Sequence, residues 1–222
     1  IGEYPFNVVS AVEAPIGFEG GMEYPTITSI SPLPDEKSLD ITIGHEIGHN
    51  WFYGILASDE RRYPWLDEGV NTYYDKRYQE WKYGTNQSRE KKSSFISNKL
   101  PDSEDLLAIN SLAKIKKDQP INTPSADFSE TNYSVIAYAK AAYTFQQLEK
   151  YIGKDLFDSS MKSYYQEWKF KHPQPEDFIM AIEKNSGKDL TAFKKALTAS
   201  GQILPNGPTH KKIKPAFLFD LR

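Results

Sequence analysis

The sequence predicts an α+β fold, with a small N-terminal sheet region followed by a mostly helical lobe. Three observations carry that expectation. Residues 6–12 and 26–30 are rich in β-branched residues and bounded by Pro and Gly, the pattern of short strands. From residue 132 onward, apolar residues recur at helical spacing between Gly and Pro stops. Hydrophobic residues make up 39% of the 222 residues and aromatics 14%, enough to fill a core.

The elements follow in order. Gly20, Gly21, Met22 and Glu23 lie on the approach to the second strand. The run Pro32-Leu33-Pro34-Asp35 is a loop, and Ser38 or Asp40 is suited to cap a helix continuing to about residue 56. A second helix is expected over 66–82, with Glu68 in its first turn, and another over 86–100. Pro120 and Pro124 make 114–127 a loop. Residues 132–151, closed by Gly153, read as a helix, as do 156–169, 175–184 and 190–200. Residues 201–214, with Pro205 and Pro208, read as an exit linker.

The run His45-Glu46-Ile47-Gly48-His49 lies inside the first expected helix. Residues four apart on an α-helix differ by roughly 40° around its axis, so His45 and His49 share a face. Two imidazoles so placed offer two corners of a zinc tetrahedron, with Glu46 beside the metal's open position. A third ligand must come from elsewhere, and Glu68, in Trp65-Leu66-Asp67-Glu68-Gly69, is well placed. Three protein ligands with one site left for water mark a catalytic rather than a structural zinc. The bland alternatives are two helix histidines with a solvated glutamate, and for Glu68 a helix-start carboxylate favoured by the dipole. His172 and His210 sit in no ligand-like spacing.

Composition narrows the remaining classes. The formal charge is −3 with basic residues scattered, so nothing points to nucleic acid or to an anionic membrane surface. No apolar run approaches the ~18 residues that span a bilayer. With no cysteine, disulfides and thiolate metal sites are excluded, while the compartment stays undecided.

With these residues in view, the chain resembles the M1 family of zinc aminopeptidases, within the gluzincins. The resemblance rests on Gly20 to Glu23, HEIGHNWF from His45 to Phe52, WLDEG from Trp65 to Gly69, IAYAKAA from Ile136 to Ala142, and a helical stretch over 173–197. It covers most of residues 1–200, in family order. It implies a thermolysin-like catalytic domain over 1–205, truncated at its N-terminal side. Residues 206–222 would be a linker and the start of a missing C-terminal region, with flanking domains belonging to a longer chain.

The resemblance also implies roles. One Zn2+ per chain would be held by His45, His49 and Glu68, with Glu46 as general base on the water that attacks a peptide substrate. Tyr138 matches the tyrosine that stabilises the oxyanion, with Tyr133 and Tyr143 as rivals. Ala141 stands where the family usually has glycine. Glu23 matches the glutamate that binds a substrate's α-ammonium, although Tyr24 replaces the asparagine most common after it. Gly20, Gly21 and Met22 belong to the same substrate-binding run, the glycines allowing substrate backbone to pair closely. Asn50 and Asp67 are candidates for orienting the ligands or for purely structural hydrogen bonds. Aminopeptidase activity is the implied function. A thermolysin-like endopeptidase, or a binding module that keeps only the fold, are the alternatives.

Overall fold

The computed structural model describes residues 1–84 and 104–201. The helix expected over 86–100, nearly all of the linker at 201–214, and the boundary at 205 with the 206–222 segment beyond it lie outside the described residues.

Three short strands form one sheet in the order β1-β3-β2: β1 is Ser10–Glu13, β2 is Gly21–Met22 and β3 is Ile27–Ile30. β1 runs parallel to β3 with Ser10 opposite Ile27, and β2 runs antiparallel with Met22 opposite Ser29. Strand β1 begins later than the 6–12 run suggests, because pairing starts only where β3 lies alongside. Gly21 and Met22, expected on the approach to a strand, are themselves the edge strand. Alternate residues Thr28 and Ile30 of β3 are buried, and this strand packs on α1, Glu36–His49.

The cap of α1 is neither Ser38 nor Asp40. Asp35 accepts the N–H groups of Lys37 and Ser38 at 3.0 Å each and the Ser38 hydroxyl at 2.7 Å. After His49 the helix widens into π turns over Asn50–Ile55 and stops at Ala57, which has positive φ. A 3-10 turn, Pro64–Leu66, then leads into α2, Glu68–Tyr83. Helix α1 is thus sandwiched between the sheet and α2.

The lobe contains α3 (Glu104–Lys114), α4 (Glu130–Asn132), α5 (Ala141–Ile152), α6 (Lys154–Trp168), α7 (Pro175–Ser186) and α8 (Thr191–Thr198). Helix α3 was not expected from the sequence. The single helix expected over 132–151 is observed as α4, a π-helical segment Tyr133–Lys140 and α5 in unbroken succession. Its core is aromatic: Trp65, Phe145, Phe178 and Phe193 pack with ring centroids 5.7–6.1 Å apart. Helices α2 and α5 pack directly on each other, which brings the residues after Glu68 against those after Tyr138.

Candidate metal centre and active site

His45 and His49 face α2 from the last two turns of α1. His49 Nδ1 lies 2.5 Å from Asp67 Oδ1, and His45 Nδ1 lies 2.6 Å from Asp75 Oδ2. A carboxylate at each Nδ1 fixes the ring proton there and leaves the Nε2 lone pair as the free donor. Both Nε2 atoms then point at one place, 3.0 Å apart, and Glu68 Oε2 lies 3.4 Å and 3.3 Å from them. Three lone-pair atoms facing one another repel unless positive charge sits among them.

The separations match that demand. A tetrahedral zinc with ligands at about 2.0–2.1 Å sets its ligand atoms roughly 3.3–3.4 Å apart. Among the described residues, Glu68 Oε2 is buried without a hydrogen-bond partner, as is Glu46 Oε2. The residues present therefore fit a zinc ion. Burial works against charge on His45, but its contacts with Asp75 and Glu68 push its pKa up to about 10. Glu68 is likewise opposed by burial, yet the two imidazoles bring it down to about 2. Both shifts express one field, which favours a cation where the Nε2 atoms meet.

Glu46 is buried beside this position, and burial pushes its carboxyl up to about 7 against the pull of the imidazoles. It lies against the edge strand: a Cβ at Gly21 would collide with the Glu46 carboxylate. That contact is a reason for glycine here which the sequence did not show. At Gly20 the reason is conformational, since φ is 133°, where side chains are strained. Met22 pairs with Ser29 and its carbonyl accepts the Thr28 hydroxyl at 3.0 Å. Glu23 comes near Glu46 and His49, with carboxylate and imidazole atoms of the three within 4.8 Å of one another. Burial raises the Glu23 carboxyl. This second trio offers one imidazole and two carboxylates, so the two-imidazole set is the better zinc donor set.

The tyrosines separate. Tyr138 donates its hydroxyl to Glu68 Oε1 at 2.5 Å and stacks on His45 with centroids 6.1 Å apart. Burial and the Glu68 charge raise its pKa. Tyr133 stands edge-on to Tyr138 at 5.7 Å, whereas Tyr143 packs with Ile109 and Ala139 on the α3 side. Asn50 and Asp67, paired as candidates in the sequence, also part. Asp67 holds His49, while Asn50 accepts the Thr26 N–H at 2.8 Å and donates to the Ile47 carbonyl at 2.9 Å. His172 is remote from the site, with Nδ1 3.0 Å from the Ala57 carbonyl. Asp75 was missed by sequence reasoning. Its signal is its place seven residues after Glu68, two turns along the same face of α2.

Comparison with known proteins fits this geometry. The profile of the Peptidase family M1 domain matches residues 3–197. The chain belongs to peptidase family M1. Among M1 relatives, leucine aminopeptidase 2 of Phaeosphaeria nodorum is 31% identical over 181 residues, covering 79% of this chain and 28% of that protein. Aminopeptidase M1-D of rice is 27% identical over 205 residues, covering 84% of this chain and 22% of the relative. The chain thus spans under a third of the length of these M1 relatives. In fold it is similar to an M1 zinc metallopeptidase of Deinococcus radiodurans, with a TM-score of 0.66 at 15% identity over 95% of this chain and 43% of the other. A mutant of that enzyme bound to a Tyr-Ser-Ala substrate gives 0.64 at 15% identity over 92% of this chain and 42% of the other. No described helix is long and apolar enough to cross a membrane.

Proposed function

We propose that this chain is the catalytic part of a zinc aminopeptidase that removes residues from the free N-terminal end of peptides. The observation that carries the reading is the convergence of His45 Nε2, His49 Nε2 and Glu68 Oε2 within 3.0–3.4 Å beside the buried Glu46. One zinc ion per chain, held by those three residues, would lower the pKa of water toward neutrality and polarise the scissile carbonyl. Glu68 is the only charged ligand, so the site keeps a net charge of about +1 and its Lewis acidity.

The chain's own residues do the rest. Glu46 takes the proton of the attacking water and delivers it to the leaving amine. Tyr138 turns its hydroxyl, now engaged with Glu68, toward the oxygen on which negative charge develops. Edge strand β2, made of Gly21 and Met22 and entered through Gly20, presents its outer edge to an extended peptide. Glu23, at the end of that strand, receives the substrate's α-ammonium and so makes a free N-terminus a requirement.

The experiment uses the intact protein with matched free and N-acetylated peptides. Acetylation removes a charge-assisted hydrogen bond worth about 1.5–3 kcal/mol, so cleavage of free-amine peptides should dominate. Glu23→Ala should weaken cleavage of free-amine substrates strongly and of blocked ones hardly at all. Efficient internal cleavage of acetylated peptides would replace the aminopeptidase reading with an endopeptidase one.

A further inference from the structure

The π-helical segment Tyr133–Lys140 ends on a buried charge. Lys140 is 1% exposed, and among the described residues no other lysine or arginine is buried. Its Nζ donates to Asp118 Oδ2 at 3.0 Å, and that oxygen also accepts the Gly201 N–H at 2.7 Å. The other end of the segment is fastened to the same stretch of chain. Asn132, immediately before it, donates from Nδ2 to the Lys117 carbonyl at 3.0 Å and accepts the Gln119 N–H at 3.0 Å. Residues 117–119 therefore grip the π segment at both ends.

A grip of that kind has a mechanical consequence. π turns are wider than α turns, rise less per residue and are rarely stable by themselves. Relaxation to α turns would lengthen the segment and rotate the side chains along it. Tyr138 and Lys140 are two residues apart, so they project to nearly opposite sides, one to Glu68 and the other to Asp118. An anchor behind the segment fixes how far Tyr138 reaches in front.

We propose that Asp118 and Lys140, with Asn132 at the far end, form a clamp that holds this segment in π register, making Lys140 a positioning residue for Tyr138. The inference rests on the proposed oxyanion role of Tyr138. Lys140 is buried with its ammonium on Asp118 and acts only through the tyrosine.

The test is a double-mutant cycle on the intact enzyme, reading kcat, KM and bound zinc. Lys140→Met should lower kcat roughly 10- to 100-fold, the scale of an ångström-sized misplacement, with KM and zinc content unchanged. In a Tyr138→Phe background the same change should cost less than about twofold, since the group it positions is already gone. Should Lys140→Met fail to fold, Lys140→Met/Asp118→Asn removes the orphaned carboxylate charge along with the grip, and its kcat should stay low. An equal fractional loss in both backgrounds, or recovery to wild-type kcat in the Lys140/Asp118 double variant, overturns the clamp. A normal loss in Tyr138→Phe beside a harmless Lys140→Met overturns the clamp alone. Undiminished kcat in Tyr138→Phe overturns the tyrosine's role and the clamp with it.

Discussion

Asp75 and Asp67 reach the two imidazoles from α2 and the turn just before it, and this pairing aims both Nε2 atoms at one point. Such partners fix the ring tautomer and raise ligand basicity, and losing one typically lowers metal affinity by about 10- to 100-fold. Asp75→Asn should therefore weaken zinc binding by that amount while leaving the fold in place. Competition against a chromogenic chelator measures it, and unchanged affinity would show that His45 needs no such partner. At this scale the sequence was informative wherever function follows from local spacing. His45, Glu46 and His49 share one helix, and their arrangement follows from its pitch. Asp75 shares a face of α2 with Glu68, but its pairing with His45, thirty residues away on another helix, is a relation that only packing creates.

Between elements, α2 and the π segment with α5 come close at Gly69. A Cβ there would come 2.5 Å from Ala141 Cβ and 3.0 Å from the Ala137 carbonyl. Gly69 follows Glu68, and Ala137 and Ala141 lie close to Tyr138 in sequence, so this contact sets the distance between Glu68 and the tyrosine. Ala141, noted as a departure from the family's usual glycine, is accommodated by the missing side chain on the facing helix. Gly69→Ala should overpack the contact, costing about 1–3 kcal/mol in stability and lowering turnover through the displaced helix. Chemical denaturation together with kcat checks both effects, and a variant equal to wild type in each would refute the tight packing. The elements themselves were unevenly legible. Residues 132–151 have helical apolar spacing whether the turns are α or π, so the π segment leaves no mark in periodicity. Helix α3 buries only Ile109 and Ala113, a weak stripe. The cap falls on Asp35, the last residue of the run read as a loop, and of the two candidates Ser38 and Asp40, Asp40 turned out to face Tyr78, Tyr83 and Lys82 instead.

Across the whole molecule, the sheet and the helical lobe meet α1 from different sides. A small sheet presents its edge strand to one side of α1, and the helical lobe presents Glu68 and Tyr138 to the other. The α+β class and the order of sheet then helices were readable, because the strand patterns are confined to the first thirty residues and the helical patterns follow them. Two joints were not: Gly21 against Glu46, which seats the sheet on α1, and Lys140 against Asp118 within the lobe, since each unites residues distant in sequence. The proposed reaction depends on Glu46 as the base at a zinc centre held by His45, His49 and Glu68. Glu46→Gln removes the base while leaving the donor set and the local volume nearly unchanged. The decisive measurement is turnover of a free-amine peptide by that variant of the intact protein, at a confirmed zinc content. One zinc per chain is expected, with kcat reduced by at least about a hundredfold. Near-normal turnover with zinc in place would contradict it.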